Sequence, residues 1–324
     1  MICEGLNKKL NKSLKKNELA FLFCFLVISA LFVVNVNPNQ LDNYSGDFRF
    51  HFYKSLGCVG EQIDMYAPLT SWIGGFFSFN TQFFYVFWLM FFFLVFPLAL
   101  VYFSNWKAAV YWFAFFTPYY YLWGILAQGL VGFFLILFSR ASPVQRLVLL
   151  GLAFLTHSLG LFLLLSYWAV EIIWDKKGFL AACVFVPTKS GASVEAAKAR
   201  TGTNLLGGKG ISGVNYLDFF RWFFINPLFF FGFFRLRGVE KLFSVLLFVG
   251  SLVLLIPRVL DFIVPFVCIR LAEEDHKLLF VLALVLIPFQ VLNFASHFGL
   301  LTFSLTNGLF FWKELLVFCL GLIF

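Results

Sequence analysis

Long apolar runs alternate with short polar punctuation along the whole chain, and the runs are either continuous or helical in period. None shows the roughly ten-residue alternation of a membrane β-barrel strand, so helices are predicted throughout. Residues 1–17 form a basic segment with Lys8, Lys9, Lys12, Lys15 and Lys16 against one acid, Glu4. An apolar helix over 18–36, read as retained rather than cleaved, leads to a polar stretch over 37–66 and an interfacial segment over 67–79. A helix over 82–103 returns to Lys107. Residues 108–138, interrupted by Thr117-Pro118 and Gly124, read as two short helices that end at Arg140 and Arg146. Residues 147–174 lie between Arg146 and Lys176-Lys177, so they read as two short helices turning around Thr156-His157-Ser158. A short helix over 178–187, a polar loop over 188–217 and a return over 218–234 follow. Helices 242–256 and 259–271 form a hairpin that turns at Pro257-Arg258. Helices 278–294 and 298–311 close the pattern.

Composition turns this pattern into a fold class. The 324 residues are 61% hydrophobic and 12% charged, with a mean hydropathy of +0.90. A soluble domain is about half apolar and about a quarter charged. A chain of this length could not hide the excess, because the buried fraction saturates with size. Disorder is excluded by the same arithmetic. The predicted fold is all-α: a polytopic transmembrane helical bundle of about 11 or 12 membrane segments, some short or broken. It forms one domain over 18–324, with outer loops over 37–80 and 188–217. Lys and Arg flanks stay on the cytoplasmic side, so the expected place is the plasma membrane with a cytoplasmic N-terminus. The net charge of +8 is spread over membrane-length runs, and no nucleic-acid partner is expected. Six cysteines stand singly, without a metal-binding spacing or a disulfide framework.

On this topology the polar residues that charge balance does not explain fall on the outer side. Asp42, Asp47, His51 and Lys54 are in the first loop, His157 and Arg258 at hairpin turns, and His297 at a late one. If the chain is helical from Asp47, positions 47, 51 and 54 share one face. A carboxylate one turn from an imidazole makes a base with an orienting partner; an amphipathic helix with charges facing water is the other reading. Arg258 offers a fork matched to phosphate oxygens, or a guanidinium snorkelling to the interface. His157, between two apolar helices, reads first as a hydrogen-bonded core residue. Tyr66 and His297 are candidate cavity-lining residues, the latter read first as a snorkelling interface residue. Lys54 suits an anionic head group or a solvated face. Gly207-Gly208-Lys209-Gly210 is not a P-loop, since Gly210 replaces the required Ser or Thr.

Three motifs in order carry a resemblance. Gly46-Asp47-Phe48-Arg49-Phe50-His51, followed by Tyr66-Ala67-Pro68-Leu69, resembles the first-loop acidic motif of the C-type membrane glycosyltransferases. Those enzymes use polyprenyl-phosphate-linked sugars. Leu155-Thr156-His157-Ser158-Leu159-Gly160 resembles that family's short-helix pair, and the segment from Ile256 through Arg258 to Pro265 resembles its late hairpin. Asp42 and Asp47 stand five apart, where many relatives carry adjacent or near-adjacent acids. The resemblance implies an inverting transfer from a polyprenyl-phosphate sugar donor to a glycan, lipid or protein acceptor at the outer face. Asp47 would be the general base, His51 its partner, and Arg258 with Lys54 the donor-phosphate contacts. Asp42, Tyr66, His157 and His297 would line the cavity. No cofactor is required, although a divalent cation is compatible with the chemistry. The competing expectations are a transporter of lipid-linked glycans and a non-catalytic scaffold of the same fold.

Overall fold

A computed structural model of the chain describes residues 68–76, 81–123, 126–175, 226–254 and 257–297, with Leu19, Leu22 and Phe25. Among these residues the structure is all-α, with no strand. Helix α1 is Pro68–Phe76 and α2 is Thr81–Met90; a π turn, Phe91–Val95, joins α2 to α3, Phe96–Phe103. Then come α4 (Lys107–Phe113), α5 (Thr117–Trp123), α6 (Leu126–Arg140), α7 (Pro143–Thr156) and α8 (Ser158–Asp175). The last group is α9 (Pro227–Arg235), α10 (Gly238–Leu254), a 3-10 helix Pro257–Phe262, α11 (Val264–Glu274) and α12 (Lys277–His297).

The helix breaks follow local chemistry. Pro143 sits in the first turn of α7, and Ser142 and Gln145 close a capping box in which the Ser142 N–H donates to Gln145 Oε1 at 3.0 Å. Asn226 caps α9 by accepting from the Leu228 N–H at 3.1 Å. The predicted turn at Thr156-His157-Ser158 separates α7 from α8.

Two departures from the expected pattern have physical causes. The segment over 108–138 contains three helices rather than two, because Thr117-Pro118 starts a new helix instead of only ending one. The helix over 82–103 is interrupted by the π turn just before Pro97. There the Phe96 N–H donates to Phe91 O, one residue further back than α geometry places it. Phe92 O thereby loses its α-helical donor, and Trp112 Nε1 donates to it at 3.1 Å. The Trp112 ring also stacks on Phe96, with centroids 4.4 Å apart and planes at 14°, which adds about 0.5–1.5 kcal/mol beyond burial.

A largely aromatic core surrounds this join. Trp88, Phe92, Phe96, Tyr111, Trp112, Tyr119 and Tyr121 are each 0% exposed. Leu22, from the chain's first apolar run, is buried, and Phe25 meets Phe113 edge to face. The outer faces of α7 and α8 instead leave Val144, Leu147, Val148, Phe154 and Phe162 exposed. Val86–Phe103 is, among the described residues, the one helical run long and apolar enough to cross a membrane; Leu126–Arg140, Pro143–Thr156, Leu159–Trp174 and Lys277–Val291 are shorter apolar helices.

Ion pairs fasten one end of the bundle. Arg146 binds Glu171 through its two terminal guanidinium nitrogens, Nη1 and Nη2, joining the start of α7 to the end of α8. Arg140 meets Glu240 at 3.1 Å, joining α6 to α10. Arg235 pairs with Glu274, and Arg270 with Glu273 and Glu274. Lys107 pairs with Asp275 in the turn between α11 and α12. Beside that pair, Asn105 Nδ2 donates at 2.8 Å to Ala272 O, one of the last carbonyls of α11.

Candidate functional site

Among the described residues, every charged residue but two belongs to the ion-paired end. The exceptions are Arg258 and Asp261. Both stand on the 3-10 helix Pro257–Phe262. A 3-10 helix has three residues per turn, so positions 258 and 261 lie one above the other along one edge. The 11 residues of α11, about 16 Å of helix, separate this segment from Glu274 and the charged end.

Asp261 is 2% exposed. Burying a carboxylate is costly unless hydrogen bonds replace its water. Thr117 Oγ1 supplies one, donating to Asp261 Oδ1 at 2.8 Å. Tyr121 supplies a second bond to the same residue, its hydroxyl donating to the main-chain oxygen of Asp261 at 3.2 Å. Thr117 and Tyr121 are four apart on α5, hence on one face, and that face meets the 3-10 helix.

Tyr121 can reach Asp261 because α6 is stripped of side chains beside it. A Cβ on Gly129 would lie 2.7 Å from Tyr121 Cγ, and one on Gly132 would lie 2.9 Å from the Tyr121 hydroxyl oxygen. Both glycines fall on the same side of α6, three apart. Close helix approach over small residues is the usual solution in lipid-buried bundles. The result is a polar node of Asp261, Thr117 and Tyr121 walled by aromatic side chains.

The predicted site residues divide into those the structure describes and those it does not. Arg258 lies at the turn between α10 and α11, where the hairpin was expected. His157 lies between α7 and α8, half-buried, and its Nδ1 accepts from the Leu159 N–H at 3.0 Å. That bond makes it a cap for α8 and agrees with the hydrogen-bonded reading of this histidine. It also puts the proton of the neutral ring on Nε2. His297 is the last residue of α12. Asp42, Asp47, His51, Lys54 and Tyr66 lie outside the described residues. Among the described residues no three His, Cys, Asp or Glu side chains gather as a metal would need.

Asp261 and Thr117 are the residues that sequence reasoning passed over. The signal for Asp261 was present: a lone acid inside an apolar run, three residues after an Arg. On the membrane expectation from the sequence, such an acid is a functional candidate by default. Thr117 carried no such signal, since a Thr before a Pro reads as punctuation. Comparison of the chain with protein-family models, with curated proteins and with solved structures finds no match.

Proposed function

We propose that the chain is a polytopic membrane glycosyltransferase that moves a sugar from a polyprenyl-phosphate donor to a glycan, lipid or protein acceptor at the outer membrane face. The observation that carries this reading is that Arg258 and the buried Asp261 share one 3-10 helix, Pro257–Phe262, with the length of α11 between that helix and the ion-paired end. Charge kept at such a cost is kept for chemistry. Exposed Val144, Leu147, Phe154 and Phe162 support the membrane setting, because apolar faces of this kind are stable against lipid and costly in water. A basic end over the cytoplasm agrees with the rule for positive flanks.

In this mechanism Asp47, oriented by His51, takes the proton from an acceptor hydroxyl. The oxygen then attacks the anomeric carbon as the bond from that carbon to the phosphate oxygen breaks. The leaving lipid phosphate carries off the electron pair, and configuration inverts. A phosphate is already a good leaving group, so a strong general acid is unnecessary. Positive charge is needed instead, and Arg258 supplies it with a fork that fits two oxygens. Lys54 adds attraction for the anionic head group.

The test is Asp47→Asn in purified protein reconstituted with a polyprenyl-phosphate sugar. Transfer should vanish while expression and membrane insertion stay normal, and retained transfer would remove the base assignment. A second reading, a carrier of lipid-linked glycans, draws on the depth of Asp261, because such carriers place ionisable groups inside the bilayer. Flux of the labelled lipid across sealed vesicles without any transfer would favour it.

A further inference from the structure

We propose that the charged end of the bundle holds an anionic phospholipid of the cytoplasmic leaflet, through Arg237 and Lys241 at the α9–α10 turn and Lys277 at the start of α12. The proposal rests on the membrane part of the reading above and not on the transfer chemistry. At this end each carboxylate whose side chain is described is met by an Arg or Lys, from Glu171 with Arg146 to Asp275 with Lys107. Arg237, Lys241 and Lys277 stand outside those pairs, and all three are exposed. Among the described residues they are the positive charge left over.

The fold gathers them. Arg235 pairs with Glu274, and Arg270 Nε donates to Arg235 O at 3.0 Å, so the α9–α10 turn lies against the end of α11. Arg237 follows one side of that clasp and Lys277 the other. Lys241 Nζ donates to Phe234 O at 3.1 Å, which seats its ammonium on a last-turn carbonyl of α9. An ammonium has three donors, so two remain for an oxygen outside the chain. Apolar side chains run up to the same cations. Phe231 and Phe234 are exposed on α9, and Leu278, Val281 and Val285 on α12. The α12 positions, spaced by three and four, form one stripe with Lys277 at its head. A stripe of this kind takes acyl chains, while the long cation at its head reaches the phosphate level. A zwitterionic lipid brings no net charge to balance the surplus. An anionic one does, at about fivefold in binding per Lys or Arg near the surface.

The experiment uses the full chain in phosphatidylcholine nanodiscs that carry a trace of spin-labelled phosphatidylglycerol or spin-labelled phosphatidylcholine. The motionally restricted fraction of each label gives the preference of the protein for the anionic lipid. R237Q, K241Q and K277Q alter exposed positions and leave the fold intact. Each should lower the preference by up to about fivefold, and the triple variant should abolish it. Added salt should weaken the wild-type preference and leave the triple variant unmoved. K8Q/K9Q/K12Q removes as much charge from the N-terminal segment and should have a smaller effect. A preference that survives in the triple variant, or that falls equally in the N-terminal one, would overturn the proposal. Displacement of the lipid label by soluble glycerol phosphate at equal concentration would overturn the lipid assignment in favour of a free phosphate. A chain recovered outside the nanodiscs would overturn the membrane reading and this surface with it. Selectivity for phosphatidylglycerol without any sugar transfer would overturn the transferase reading and leave the lipid surface standing.

Discussion

Thr117 Oγ1 donates to Asp261 Oδ1 at 2.8 Å, across 144 positions of sequence and between two buried side chains. This contact ties α5 to the 3-10 helix. Thr117→Val keeps the shape and removes the donor, leaving a carboxylate oxygen without that bond. The expected loss is about 1–3 kcal/mol. Thr117→Ser, which restores the hydroxyl, should recover most of it. Thermal unfolding in detergent measures both.

The glycines beneath Tyr121 give a separate expectation. Gly132→Ala puts a methyl group 2.9 Å from the Tyr121 hydroxyl oxygen, and Gly129→Ala one at 2.7 Å from Cγ of the same ring. Tyr121 is wholly buried and has little room to yield. Each change should cost about 1–3 kcal/mol through overpacking. Tyr121→Phe should cost less on its own, and in combination with Gly132→Ala it should soften the penalty. That combination separates a lost hydroxyl contact from a steric clash.

At the π turn, the indole of Trp112 meets a carbonyl that the helix itself leaves to it. Trp112→Phe keeps a ring against Phe96 and removes the donor. A fall in stability of about 1–3 kcal/mol is expected, from stranding Phe92 O in the core. Faster amide exchange over residues 91–96, with other helices little affected, would be the local signature.

Arg258→Lys tests the proposed phosphate role directly. The charge survives, but the two-pronged geometry does not. The donor KM should rise about tenfold with a smaller change in kcat, as loss of one charged hydrogen bond implies. An unaltered KM would remove Arg258 from the donor site.

Two carboxylates at the charged end should answer acid in opposite senses. Lys107 holds the exposed Asp275 carboxyl below the usual range, chiefly through a hydrogen bond. Burial pushes Glu240 up, against the pull of Arg140; it stands ahead of the apolar run that begins at residue 242. A depressed acid favours the fold above its unfolded pKa, and that contribution is lost as pH falls through the folded value. A raised acid favours the fold below its unfolded pKa, and that contribution is lost as pH rises through the folded value. Acidification from neutrality therefore relieves Glu240 first and weakens the Asp275 pair only at lower pH. Glu240→Gln should remove the early gain, and Lys107→Met the later loss, in unfolding midpoints recorded from about pH 7 to about pH 3.

Much of the helical layout is written in local signals. Pro143, the Thr156-His157-Ser158 turn and Pro257 each mark a break that sequence alone reveals, because proline and capping residues act within one turn. The π turn is invisible in Phe91-Phe92-Phe93-Leu94-Val95, where every residue is apolar and only a distant indole explains the join. Asp261 is legible as an oddity and not as a site, since its partners come from α5. Arg258 is readable because a guanidinium between two apolar runs is conspicuous. The first-loop residues Asp47 and His51 rest on spacing and on the family resemblance.

The ties at the charged end span very different stretches of chain. Arg146 and Glu171 are 25 positions apart, Arg140 and Glu240 are 100 apart, and Lys107 and Asp275 are 168 apart. During synthesis the first of these can close once one hairpin has emerged, whereas Lys107 waits for Asp275, made 168 positions later. The face of α4 that meets α11 and α12 therefore stays uncovered until those helices arrive. Truncation ahead of residue 275 should consequently leave an open, protease-sensitive intermediate rather than a smaller finished bundle.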